Sequence, residues 1–184
     1  VINYRGWGNA QGWVKPQFFT SDVDNLEITY DLPIVFSFVC NTGDFGNDVD
    51  PSFGEKLLRA GSVSGPKGAV AMIGPSDLDT DTRFNNVMCG ALWDGLLENG
   101  AHELAQAMHM AKQAVAKEFA GISETGQGGT QDIPVFYHHV YGVLGDPSIP
   151  VRLQTPSDII VKDVLEQEVD NVLKGSILKN KKEI

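Results

Sequence analysis

Cys40 is the residue best placed to do chemistry. It follows the most apolar run of the chain, Pro33-Ile34-Val35-Phe36-Ser37-Phe38-Val39, and opens the polar stretch Asn41-Thr42-Gly43-Asp44-Phe45-Gly46. In open parallel sheets, ligands collect at the carboxyl ends of the strands, so a thiol there is positioned to react. The N–H groups of a glycine-containing loop beside it can stabilise an oxyanion. The competing reading is a buried structural cysteine, the commoner fate of a free thiol. A second turn, in Asn3-Tyr4-Arg5-Gly6-Trp7-Gly8, follows another short apolar run. Glycine on both sides of Trp7 indicates a tight turn that presents one side chain and one or two free N–H groups at the same sheet edge. Its plainer reading is a tryptophan that caps the sheet.

Two acidic loops follow. Asp44, Asp48 and Asp50 come after Cys40, and Asp77, Asp79 and Asp81 alternate in Ser76-Asp77-Leu78-Asp79-Thr80-Asp81-Thr82. Alternate carboxylates suit a hard cation, and a calcium site at Asp77, Asp79 and Asp81 is one expectation. The helix–loop–helix calcium motif is excluded, because its sixth position is Thr82 rather than Gly and its twelfth is Met88 rather than Glu. The other reading is a solvated acidic loop. Of the four histidines, His102 and His109 are two helical turns apart. His138 and His139 are adjacent, so on a helix their side chains diverge by about 100°. Cys40 and Cys89 lack paired zinc-ligand spacing. The two cysteines leave pairing, burial and reactivity all open.

The elements that must carry these residues read as α/β. Val1–Tyr4, Pro33–Val39 and Gly68–Ile73 are short, near-continuous apolar runs, as expected of strands buried on both faces. Helical patterns occupy Phe53–Ala60, Phe84–Glu98 and Glu103–Phe119. The last places Leu104, Met108, Ala111, Val115 and Phe119 on one stripe. Val135–Leu144 reads as a further helix closed by Gly145-Asp146-Pro147, Ser148–Leu153 as extended, and the glycine-rich Gly121–Asp132 as a mobile loop. After Pro156 the apolar spacing is mixed between helix and strand, which sets a boundary near residues 154–157. The 184 residues carry 24 acidic against 14 basic side chains, a net charge of -10. Such a surface repels nucleic acid and fits a soluble, secreted protein. No run approaches the ~18 apolar residues of a membrane span. The chain opens at Val1-Ile2-Asn3-Tyr4, already a strand and without Met, and so reads as part of something longer.

Taken in order, these segments resemble the catalytic part of gingipain-type cysteine peptidases. The resemblance rests on Ile2–Gly6, on Leu32-Pro33 and the strand into Cys40-Asn41-Thr42-Gly43-Asp44-Phe45, and on Phe53-Gly54-Glu55 with Leu58-Arg59-Ala60-Gly61. It continues through Gly68–Gly74 and closes at Gly145-Asp146-Pro147-Ser148-Ile149-Pro150-Val151. It implies a caspase-like three-layer α/β sandwich, with a mostly parallel sheet flanked by helices and truncated on its N-terminal side. Residues 1–155 would be an incomplete catalytic subdomain, and 156–184 a linker and the start of a following module of immunoglobulin-like type. Cys40 would be the nucleophile, and Gly8 with the Cys40 N–H would form the oxyanion hole. The family's general base is a His between two glycines, and here that position is Trp7. An indole N–H donates only, so it can neither take the thiol proton nor return it. His138 and His139 are the alternative bases.

Three functions are therefore carried forward. The first is a cysteine endopeptidase of a secreted or surface protein of bacterial type. The second is a catalytically inactive, peptidase-like binding or structural domain. The third, and weakest, is a calcium-stabilised scaffold. The resemblance implies no required cofactor, a peptide or protein substrate, and an upstream half-domain of the same polypeptide as partner.

Overall fold

The computed structural model describes residues 1–154, 159–169, 172–179 and 182–183. Strand β1 (Ile2–Arg5) leads into a small meander, β2 (Gly8–Asn9), β3 (Gly12–Val14) and β4 (Gln17–Phe19), followed by the single turn α1 (Thr20–Val23). Next come β5 (Ile34–Phe38), α2 (Phe53–Arg59), the short hairpin β6 (Gly61–Ser62) and β7 (Gly65–Pro66), and β8 (Ala71–Pro75). Two long helices follow, α3 (Thr82–Leu97) and α4 (Leu104–Glu118). The hairpin β9 (Ser123–Gly126) and β10 (Gly129–Asp132), helix α5 (Ile133–Val140) and strand β11 (Tyr141–Gly145) complete this unit. The central sheet has the order β1-β5-β8-β11. Its first three strands are parallel, and β11 runs antiparallel to β8.

The continuous apolar run at β5 is explained by burial on both faces: all five of its residues are buried. Alternation along the strand then divides the core in two. Ile34, Phe36 and Phe38 face the layer that contains Met88 and Leu92 of α3, Leu104, Ala111 and Val115 of α4, and Tyr137 of α5. Val35 and Val39 face Tyr4, Trp13, Val23, Phe53, Leu57 and Met72. The α4 stripe is buried as its spacing requires, at Leu104, Ala107, Met108, Ala111 and Val115. On α2, Ser52 donates from both its backbone N–H and its hydroxyl to Glu55 Oε2, satisfying groups that the helix start leaves open. The result is the expected sandwich of a mostly parallel sheet between helical layers.

Two local expectations are corrected. The helix read through Val135–Leu144 ends at Val140, and Tyr141–Gly145 is a strand. Gly142 and Gly145 are poor helix formers, and β8 offers a full ladder from Tyr141↔Pro75 to Gly145↔Ala71. The glycine-rich segment is an ordered hairpin rather than a free loop. Gly126 pairs with Gly129 across the two-residue turn Gln127-Gly128, and Gly129 has a φ of 97° that favours glycine. It is fastened by Gly128 N–H donating to Asp79 at 3.0 Å and by an Arg83–Glu124 ion pair at 3.1 Å. Ser148–Leu153, read as extended, makes an isolated antiparallel bridge between Pro150 and Glu103.

Val1–Val151 is one compact unit and Arg152–Ile184 another. In the second, β12 (Ile159–Val169), β13 (Val172–Lys179) and β14 (Lys182–Glu183) pair antiparallel in that order. The mixed apolar spacing after Pro156 is thus strand. The linker expected at 156–158 lies outside the described residues. Among the described residues no helix is long and apolar enough to cross a membrane.

Candidate active site

Parallel pairing of β1 with β5 brings the two candidate turns together. The last pair is Arg5↔Phe38, so Trp7 and Cys40 each lie two residues beyond it at the same sheet edge. Gly8 fits because its backbone runs against the residue before the cysteine. A Cβ there would stand 3.2 Å from the Val39 methyls and 2.8 Å from the Gly12 carbonyl oxygen. The Trp7 carbonyl accepts from the Tyr4 hydroxyl at 2.9 Å and from Val14 N–H at 2.8 Å. Its backbone is therefore fixed, while its indole is 78% exposed.

The Cys40 side is packed more closely. Asn41 takes the left-handed conformation at φ 60°, which Asn tolerates better than most residues, and turns the chain sharply away from the strand. Asn41 and Thr42 are buried. Asn41 N–H donates to the Asp77 carbonyl at 3.0 Å and Gly43 N–H to that of Pro75 at 2.8 Å, joining the loop to the end of β8. Below, the Trp13 indole N–H donates to the Ser37 hydroxyl at 3.0 Å, which lies 2.9 Å from the Thr42 hydroxyl. The half-buried Cys40 thiol donates to the Thr80 carbonyl oxygen at 3.3 Å. The Asn41 Oδ1 and the Thr80 hydroxyl beside it are buried without a partner among the described residues.

None of the four histidines hydrogen-bonds to Cys40. His138 and His139 are exposed on α5, while Ile133, Phe136 and Tyr137 of that helix turn inward. His102 and His109 are exposed near the start and the middle of α4. The acidic residues of the second loop are spent singly. Asp77 accepts from Asp79 N–H at 2.8 Å, Asp79 holds Gly128, and Asp81 caps α3 by accepting from Arg83 N–H at 2.8 Å. Burial pushes the Asp81 carboxyl up, but the hydrogen bonds and charge of Arg83 outweigh this and hold it below the usual carboxylate range. Among the described residues no three His, Cys, Asp or Glu side chains gather as metal ligands, so the calcium reading gains no support here.

A cleft of about 230 Å³ opens beside Asn41, lined by Asp44, Asp77, Asp79, Gln127 and Gly128. Sequence reasoning missed the contribution of the β9–β10 hairpin to this wall. It also missed Thr80, whose carbonyl receives the Cys40 thiol, and Tyr137 and Asn85, which hydrogen-bond to each other and, through Tyr137, to Asp81. Cys89 is half-buried on α3, with its thiol 3.7 Å from Asn3 Oδ1. Burial pushes that thiol up.

The model of peptidase family C25 matches residues 1–152. The chain belongs to peptidase family C25. Gingipain R2 of Porphyromonas gingivalis is 26% identical over 168 residues, covering 88% of this chain and 21% of that protein. Gingipain R1 of the same species is 25% identical over the same share of this chain and 15% of its own length. The chain thus spans about a fifth or less of these relatives. The crystal structure of the Arg-specific cysteine proteinase gingipain R (RGPB) superposes with a TM-score of 0.70 at 26% identity, over 88% of this chain and 35% of that one. The complex of the P. gingivalis RgpB pro- and mature domains gives 0.68, again at 26% identity, over 87% and 36%. The family fold and a cysteine-peptidase-type domain follow for this chain. The C25 match places Cys40 and Trp7 inside the matched region, at neighbouring strand ends.

Proposed function

We propose that this chain carries a peptide-binding site of cysteine-peptidase type, in which Cys40 keeps the nucleophile's place and the general base is missing at Trp7. The observation that carries this reading is the exposed indole at the strand end beside Cys40, with no histidine bonded to the thiol. Attack by a cysteine requires a group that takes the thiol proton and later protonates the leaving amine. The indole cannot accept a proton. The thiol proton is instead shared with the Thr80 carbonyl, a hydrogen-bond acceptor with no basic function at neutral pH.

In this reading a substrate carbonyl docks against Gly8 N–H and Cys40 N–H, the oxyanion donors, and the bound peptide is retained rather than turned over. The acidic cleft at Asp44, Asp77 and Asp79 suits a cationic side chain, and one structural relative is an Arg-specific cysteine proteinase. The setting is a secreted or surface protein, with the rest of a longer polypeptide as partner.

The test is a pair of assays on the whole chain with Arg- and Lys-containing peptides. Binding is read by quenching of Trp7 fluorescence, with Trp7→Phe as control, and cleavage by mass spectrometry. Binding that persists in Cys40→Ala, without cleavage by the parent chain, is expected. Cleavage that disappears in Cys40→Ala would overturn the reading. It would favour a second one, cysteine endopeptidase activity with His138 or His139 as base. That alternative draws on one observation: Tyr137, next to them on α5, bonds to the segment that holds the Cys40 thiol. His138→Gln or His139→Gln would then abolish the cleavage.

A further inference from the structure

The Thr80–Asp81 peptide is gripped at both ends. Its carbonyl accepts the Cys40 thiol at 3.3 Å. Its N–H, that of Asp81, donates to the Tyr137 hydroxyl at 2.9 Å. That hydroxyl has one proton and two acceptors within reach, the Asp81 carbonyl and Asn85 Oδ1, both at 3.1 Å. Asn85 Oδ1 also accepts from the Tyr141 hydroxyl at 2.7 Å. We propose that Tyr137 is a positioning residue for Cys40 and acts through the Thr80–Asp81 peptide. The proposal rests on the reading of the Cys40 edge as the working site of this chain.

A peptide unit is planar, so fixing the direction of its N–H fixes the direction of its C=O. Tyr137 comes from α5, so this grip ties the acidic loop to an element 56 residues away in sequence. The side chain of Thr80 does not share the task, since its hydroxyl is buried without a partner among the described residues. The position of the carbonyl that receives the thiol therefore rests on the backbone. Packing alone does not demand a hydroxyl at 137. The ring is held by Phe84, Phe136 and Tyr141 at centroid distances of 5.5, 5.7 and 5.6 Å, contacts that a phenylalanine would keep. A hydrogen bond from the thiol favours its protonated form, and the thiolate is the reactive form. Holding the carbonyl in place thus restrains Cys40, and releasing it frees the sulfur.

The experiment follows iodoacetamide alkylation of Cys40 and Cys89 in the same sample, by peptide mass spectrometry at pH 7. Tyr137→Phe is expected to raise the Cys40 rate about fivefold, the worth of one modest hydrogen bond, with Cys89 unchanged. Tyr141→Phe removes a neighbouring buried hydroxyl but leaves the Asp81–Tyr137 bond, and its Cys40 rate should match the parent. A Cys40:Cys89 ratio unchanged or lowered in Tyr137→Phe would overturn the proposal, as would an equal rise in both variants. Should Tyr137→Phe not fold, amide exchange in the parent chain decides. A protected Asp81 N–H supports the grip, and exchange at the rate of an unstructured amide overturns it. None of these readings depends on peptide binding or cleavage, so failure here is distinct from failure of the proposed function.

Discussion

After β1 the chain turns through Gly6-Trp7-Gly8 with an indole that is 78% exposed, whereas after β5 it turns through Cys40-Asn41-Thr42-Gly43 with the last three residues buried. The two turns lie side by side at the same sheet edge. The cysteine turn is bonded to the end of β8, to Ser37 beneath it and to the Thr80 carbonyl. The tryptophan turn is held by its backbone alone, through Tyr4 and Val14. In a working cysteine peptidase both partners of the thiol–base pair need fixed geometry. On the proposed reading, the turn that would carry the nucleophile is the one braced by hydrogen bonds. The turn that would carry the base ends in an indole, which cannot accept a proton.

The sharpest way to break this contrast is to remove the support that both turns share. Trp13 is stacked on Tyr4 with ring centroids 4.3 Å apart, and it donates to Ser37. Trp13→Ala should cost about 3–5 kcal/mol in urea unfolding, the usual loss for a buried tryptophan. Ser37→Ala acts from the cysteine side and leaves the Trp13 ring in place. It strands the Trp13 N–H and removes the partner of the Thr42 hydroxyl, for about 1–3 kcal/mol. Asp81→Ala removes the cap of α3 and should cost about 1 kcal/mol at pH 7. The folded-state carboxyl of Asp81 lies below its ordinary value. Its stabilisation is therefore complete above the ordinary aspartate range and is lost as pH falls through the lowered value. The stability gap between Asp81→Ala and the parent should close in acid, as read by unfolding midpoints from pH 6 to pH 2. Trp7→Ala is the smallest change: an indole so exposed should leave stability within about 0.5 kcal/mol. A larger loss would mean that the indole is a structural part rather than a free surface.

What the residues disclosed in advance follows the same division. The strands β5 and β8 are short apolar runs because both faces are covered, and this pattern is local, whereas β1, expected to be buried on both faces, buries only Tyr4 at the end of the sheet. The pattern placed Cys40 at a strand end, and the ordered motifs placed Trp7 beside it. The strand β11 was hidden because Ile133–Gly145 carries apolar residues at spacings compatible with one helix, and only the open edge of β8 selects a strand for its second half. The β9–β10 hairpin was hidden because its exposed strands need no apolar alternation. The Thr80–Tyr137 connection was beyond reach for another reason. A backbone carbonyl carries no sequence signature, and its support comes from a tyrosine that looks like ordinary helix core.

The most direct test of the missing base restores it. Cys40 alkylation by a peptidyl acyloxymethyl ketone at pH 7 would be compared in the parent chain and in Trp7→His, with Cys40→Ala as blank. A histidine returned to the turn should accelerate labelling on the order of a hundredfold, the low end of what a positioned general base supplies. A parent chain that labels as fast as Trp7→His would show that Cys40 is already activated, and would contradict the reading of Trp7 as a lost base.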